Sequence, residues 1–315
     1  KIIVLPNIEM KLININFLIV LFSLYSFGQN KDSIQIKILP KWEINDIQKL
    51  KIKMSEKEII NDKTNLSTIL FNCSFKIQEK NENGYIISWT FDNSKIIEGK
   101  LNNNQSLLTQ LINKDILIKS NKFGEFIEIS NYEDIRNFAT KKINDLIATE
   151  TNKKVKLDLN ISKELISTKE GIESVLLKTI KTYFLPFGHQ YPLNLEMTYN
   201  LKYPNLLGGI EPYNAIEKVC LTIPDIKNNI CVIKSNQIIE TNQFLKEFTL
   251  MLKDKLNYKS DDIKKFIQKY KVELTENKIH YIDLNNVIQQ KLILKRVIDI
   301  KILKTYINYE YEIIN

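Results

Sequence analysis

Arginine is almost missing from this sequence. Only Arg136 and Arg296 occur among 45 basic residues, so lysine carries the net charge of +8. Proteins that read bases and phosphates rely on the planar, two-pronged guanidinium. The lysines here are spread along the whole chain and mixed with Glu and Asp, whereas nucleic-acid binding needs a clustered basic footprint. No nucleic-acid partner is expected. Histidine is as scarce: His189 and His280 stand alone, with no His-Glu-x-x-His and no Cys-x-x-Cys pattern, which argues against a histidine-rich metal centre. Eight glycines in 315 residues leave little for a phosphate-cradling loop, and Gly208-Gly209 reads as a turn. Neither a Gly-x-Ser-x-Gly elbow nor a Ser-x-x-Lys set is present. The sequence therefore nominates no catalytic residue, no metal ligand and no cofactor.

Cysteine is also rare. Cys73, Cys220 and Cys231 are three, and an odd count leaves at least one thiol free or paired between chains. A four-residue loop at Pro224-Asp-Ile-Lys227 would set Cys220 against Cys231. A three-residue loop, or a two-residue turn at Asn228-Asn229, would turn the two sulfurs apart. A Cys220–Cys231 bridge and a pair of buried apolar thiols both stay open at this point.

What is present is the material of a folded protein. The hydrophobic fraction is 43% and the charged fraction 26%, the balance of a globular chain with a core. Near the start, Met10-Lys11 precedes the apolar run Phe17–Phe27, which closes on Gly28-Gln29-Asn30-Lys31. One cation, a short apolar stretch and small residues at Ser26 and Gly28 are the parts of a secretory signal. The run is shorter than the ~20 apolar residues that span a bilayer. Residues 1–9 read as an over-extended reading frame, 10–28 as the signal, cut after Gly28. The mature chain is expected to be exported, periplasmic or secreted, with no transmembrane span.

Hydrophobic periodicity supplies the elements. Ile69, Phe71, Cys73, Phe75 and Ile77 alternate with mostly polar neighbours, as on a half-buried strand. Tyr85, Ile87, Trp89 and Phe91 repeat the pattern, and a three-residue loop Glu82-Asn83-Gly84 would join the two as a hairpin. That register sets Phe75 opposite Phe91 and Ile77 opposite Trp89. Further strands are predicted at 115–119, 125–129, 193–201, 215–223, 230–239, 278–284, 291–300 and 304–314. Asn131 caps a helical stripe of Ile135, Phe138, Ala139, Ile143, Leu146 and Ile147, and a Ser167/Glu170 capping box precedes Ile172, Val175, Leu176, Ile180 and Tyr183. Thr241 precedes Phe244, Leu245, Phe248, Met251 and Leu252, and Ser260 precedes Ile263, Phe266, Ile267 and Tyr270. The acidic pairs Glu133-Asp134, Glu170/Glu173 and Asp261-Asp262 fall in first turns, where negative charge meets the helix dipole. Pro186, Gly188 and Pro192 mark the most natural hinge.

The stretches Gly84-Tyr-Ile-Ile-Ser-Trp-Thr90 and Gly124-Glu-Phe-Ile-Glu-Ile-Ser-Asn-Tyr-Glu-Asp-Ile135 resemble a group of uncharacterised exported proteins from Bacteroidetes. These carry a similar Trp-bearing hairpin and a Gly-x-Phe step into a helix. The group has no established activity, so the resemblance implies a compartment and a fold and transfers no chemistry.

The sum is an α+β fold in which curved antiparallel sheet packs on amphipathic helices, built as two similar halves at 30–185 and 186–315. Phe75, Trp89 and Phe91 are candidates to line an apolar cavity, by analogy with half-barrel lipoprotein carriers. The expected function is non-enzymatic binding of a lipid or other apolar ligand, or of an envelope protein. The alternatives are an exported hydrolase with dispersed carboxylates and a structural or adhesion role.

Overall fold

A computed structural model describes residues 33–60, 63–101, 103–203, 211–256, 272–299 and 303–314. The signal at 10–28, the Gly208-Gly209 pair, and the Ser260 helix with its Asp261-Asp262 pair lie outside these residues.

Strand dominates. The short strand β1 (Gln35–Lys37) is followed by the long β2 (Ile47–Ile60), β3 (Lys63–Asn81) and β4 (Gly84–Gly99). After α1 (Asn103–Gln110) come β5 (Asp115–Asn121) and β6 (Phe126–Ile129). Three helices form the crossover: α2 (Tyr132–Thr149), α3 (Lys153–Leu165) and α4 (Lys169–Phe184). The chain then runs through β7 (Gln190–Pro192), β8 (Glu196–Tyr203), β9 (Tyr213–Asp225) and β10 (Ile230–Ile239). Finally, α5 (Thr241–Leu256) precedes β11 (Glu273–Asp283), β12 (Ile288–Asp299) and β13 (Leu303–Ile314). Eleven strands form one sheet in the order β6-β5-β4-β3-β2-β13-β12-β11-β10-β9-β8, and every neighbouring pair is antiparallel. Among the described residues β6 and β8 are the edges of the sheet.

This corrects the expectation of a balanced α+β fold. The molecule is mostly β, with thirteen strands to five helices among the described residues, and strands as long as the 19 residues of β3. The helical stripes after Asn131, Ser167 and Thr241 are real, but the helices belong with a single sheet. Tyr183 of α4 donates to Gln48 Oε1 at 2.7 Å, and Tyr311 of β13 donates to the Thr179 carbonyl of α4 at 2.8 Å. Strands of both halves belong to that sheet, joined where β13 pairs with β2 from Leu303↔Ile60 to Ile314↔Lys49. Ile34–Asn315 forms one compact unit. No described helix is long and apolar enough to cross a membrane.

The β3–β4 hairpin keeps the predicted face and changes the predicted partner. Asn81 pairs with Gly84, so the loop is the two residues Glu82 and Asn83. Asn81 Oδ1 accepts from the N–H groups of Asn83 (2.9 Å) and Gly84 (3.2 Å), which tightens the turn. A two-residue loop alone would put the two apolar faces out of phase. A bulge between Ile77 and Glu79 restores them, and Phe75 faces Trp89 while Ile77 faces Ile87.

Three other local expectations shift. Asn131 starts α2, but its side chain makes no cap hydrogen bond and turns to β5 instead. The α4 cap is Thr168, whose side chain accepts from Gly171 N at 3.1 Å, while Ser167 Oγ donates to the Glu164 carbonyl at 2.7 Å. The Pro/Gly stretch at 185–192 is a staple and no hinge. Ile38 N donates to the His189 carbonyl at 3.0 Å, Gly188 N donates to the Ile38 carbonyl at 2.8 Å, and β7 pairs with β1. Phe187 and Tyr191 are buried, and Phe187 meets Trp42 with centroids 5.0 Å apart.

Candidate functional site

The proposed cavity-lining residues are core. Phe75, Trp89 and Phe91 are each 0% exposed. Their rings pack edge to face: Phe75–Trp89 at 6.4 Å, Phe71–Phe91 at 5.2 Å and Trp89–Tyr183 at 5.6 Å between centroids, distances typical of close aromatic packing. The gap between the helices near Leu107, Ile135, Ile172 and Leu176 measures about 10 Å³, room for one water at most.

The cysteines do not meet. All three are free thiols. The β9–β10 loop is Ile226–Asn229, one bulge beyond the Asp225↔Ile230 pair, and it sets Cys220 across from Lys234. Cys231 sits three residues along β10, fully buried, while Cys220 is only half-buried. Burial pushes the Cys231 thiol up to about 12.

The unusual chemistry lies on the inner face of β8 to β12. Along β11 every second residue is buried: Leu274, Glu276, Lys278, His280 and Ile282. A strand's alternation sends all five to one face, so three ionisable groups point inward between two apolar ones. The register brings them partners. Glu276 lies across from Gln237 on one side and Arg296 on the other, Gln237 lies across from Glu217, and Glu217 from Tyr199. A polar row thus crosses five strands, Tyr199–Glu217–Gln237–Glu276–Arg296. It divides the main apolar core, which contains Val219, Ile233 and Leu294, from a smaller cluster of Tyr203, Tyr213, Phe244, Phe248 and Leu274.

Lys278 is the hub. Its Nζ stands 2.9 Å from Glu276 Oε1 and 3.4 Å from both Glu217 Oε1 and Gln237 Oε1. Arg296 Nε donates to Glu276 Oε2 at 2.7 Å, and its Nη2 donates to the same carboxylate. Tyr203 donates to Glu276 Oε2 at 3.3 Å, its ring lies 5.7 Å from the Arg296 guanidinium, and Ser235 donates to Glu217. Two carboxylates meet two cations, so the row is neutral and its charges are bonded, as buried charges must be.

Burial alone would push the Glu276 carboxyl up. The Lys278 and Arg296 charges overcome it and hold the group at about 2. Burial likewise opposes the charge on Lys278, but Glu276 and Glu217 keep it protonated, with its pKa raised. His280 is the reverse case. Burial drives it down to about 4, and its Nδ1 lies 2.6 Å from Gln289 Oε1. The imidazole is neutral at pH 7, and Gln289 Nε2 is buried with no hydrogen-bond partner among the described residues.

The arrangement does not suit proton transfer. Glu276 stays ionised and Lys278 stays protonated near neutrality, so the first is no acid and the second no nucleophile. Among the described residues no three His, Cys, Asp or Glu side chains gather as a metal site. What the row can do is fix register, because sliding any of its strands by two residues would part a buried charge from its partner. The sequence carried one signal for it. Arg296, one of two arginines, and Glu276 both fall at core-facing positions of strands. The chain matches no protein-family model and no curated protein.

Proposed function

We propose that the chain is an exported, non-enzymatic binding protein that meets an acidic protein partner on the outer face of its sheet. The observation that carries this reading is the distribution of charge on that face. Alternation along β2 and β12 sends Lys49, Lys51, Lys53, Lys57, Lys291 and Lys295 away from the core. Glu310 and Glu312 of β13 lie between the two strands, across from Lys53 and Lys51. The inner face of the sheet is charge-balanced along the polar row; this outer stretch keeps an excess of positive charge, which favours encounter with negative surfaces. The close aromatic packing at Phe75, Trp89 and Phe91 supports a protein partner over an apolar ligand. Export is supported by the apolar run Phe17–Phe27 and by the resemblance drawn from the sequence.

The test places a photo-crosslinking residue at Lys53 in the full chain, expressed in its own cells and fractionated. A cross-linked protein in the envelope fraction is expected, with capture falling at least tenfold when Lys51, Lys57 and Lys291 are changed to Glu. Capture indifferent to these reversals would end the acidic-partner reading. A chain retained in the cytoplasm with Met10 intact would end the exported one.

A further inference from the structure

The two edges of the sheet are built differently. At one end β6 is four residues long, too short to template another strand. At the other end β8 runs for eight residues, Glu196–Tyr203, without a proline. Among the described residues it pairs with β9 alone. A long edge with free backbone N–H and C=O groups is a ready site for another strand, and the side chains of this one indicate which strand fits.

On β8 Met197 and Tyr203 are buried and Tyr199 and Leu201 half-buried, while Glu196, Thr198, Asn200 and Lys202 are exposed. The exposed set is self-complementary. Read in opposite directions about Tyr199, a carboxylate at one end meets an ammonium at the other.

We propose that β8 pairs antiparallel with β8 of a second copy of this chain, about a two-fold axis through Tyr199, joining two sheets edge to edge. In that register Glu196 faces the partner's Lys202 and Lys202 faces the partner's Glu196. Thr198 faces the partner's Asn200, Met197 faces the partner's Leu201, and Tyr199 faces the partner's Tyr199. A two-fold contact uses the same patch twice, so each favourable pair occurs twice. A one-residue slip would set the inward side chains against the outward ones. A two-residue slip keeps the faces but parts both ion pairs, so charge selects the register. In the single chain Glu196 is 3.0 Å from Lys218, and Lys202 Nζ donates to Asn214 Oδ1 at 2.5 Å. Glu196 and Lys218 are about half exposed, a pair that solvent screens and that leaves the carboxylate free to bond across the axis. The pairing uses the sheet's edge and is independent of what binds its outer face.

Sedimentation of the full chain across a concentration series is the primary test, and a reversible dimer is expected. Glu196→Lys and Lys202→Glu each create two repelling pairs and should raise the dissociation constant tenfold or more. The double exchange E196K/K202E restores both pairs and should return it to within threefold of the original. A chain that stays monomeric throughout, or a double exchange no tighter than either single change, overturns the proposal. Register is read separately in a Cys220→Ser background. Tyr199→Cys places two thiols across the axis at a spacing of about 4.5–5.5 Å between Cα atoms, which a disulfide spans, and should cross-link on mild oxidation. Thr198→Cys should not. The opposite outcome rejects the register.

Discussion

Over β2, β3 and β4 the inner face of the sheet is filled by rings, and over β9 to β12 the same face carries a row of charges. Trp42, Phe75, Trp89 and Tyr183 pack edge to face at one end, and Glu217, Glu276, Lys278 and Arg296 interlock at the other. The two solutions differ in what they specify. Aromatic packing stabilises burial but says little about register, because one apolar ring substitutes for another along the strand. In that end register falls to the tight Glu82-Asn83 turn and the bulge at Gln78. The charged row adds little net stability, yet a strand that slips there separates buried ions.

The comparison breaks most visibly at the rings. Trp89→Ala removes a fully buried indole and should cost about 3–5 kcal/mol, read as a lower urea midpoint with an unchanged slope. At the charged end the cost should depend on what is removed with it. Glu276→Gln alone leaves buried cations short of a counterion and should also cost ~3–5 kcal/mol. Glu276→Leu with Arg296→Leu removes a neutral pair, leaves Lys278 with Glu217, and should recover most of that loss. A double variant no better than the single would show that the row is a stabilising element in its own right.

Acid should separate the two ends next. His280 has its folded pKa lowered to about 4 from 6.5, so between these values the unfolded chain binds the proton first and stability falls as pH falls. His189, also lowered by burial, acts in the same direction. Glu276, lowered from 4.5 to about 2, extends the loss below pH 4.5. Urea midpoints measured from pH 7.5 to 4 should decline, and His280→Gln should flatten part of the slope. The smallest effect sits at Asn131. Its side chain accepts from Leu117 N at 2.8 Å and donates to the Asp115 carbonyl at 2.9 Å, tying the start of α2 to β5. Asn131→Ala should cost about 1 kcal/mol, measured by thermal melting.

Much of the strand framework was legible. β10 runs from Ile230 to Ile239 as alternation predicts, and β12 and β13 begin and end within a few residues of expectation. Helices α2, α4 and α5 follow their stripes. The helix α1 was missed because Asn103–Gln110 opens on polar residues and holds only two buried leucines, Leu107 and Leu108. The balance of α and β was misjudged because a stripe shows that a helix covers something and does not show how wide the covered sheet is. The hairpin register escaped because a bulge leaves no mark in composition. The charged row escaped for a sharper reason. Glu276 falls ahead of the strand predicted at 278–284, and only the pairing of β9 to β12 brings Glu217 and Arg296 to Glu276 and Lys278.

The position of β13 has a consequence for how the protein is made. Leu303–Ile314 fills the middle of the sheet, between β12 and β2. Until the ribosome has delivered β13, β2 and β12 each expose a long unpaired flank, and the two part-built sheets have no common seam. Pairing across so great a separation in sequence is slow, and open flanks invite aggregation in the meantime. A nascent chain of this design gains from being held unfolded until β13 has emerged.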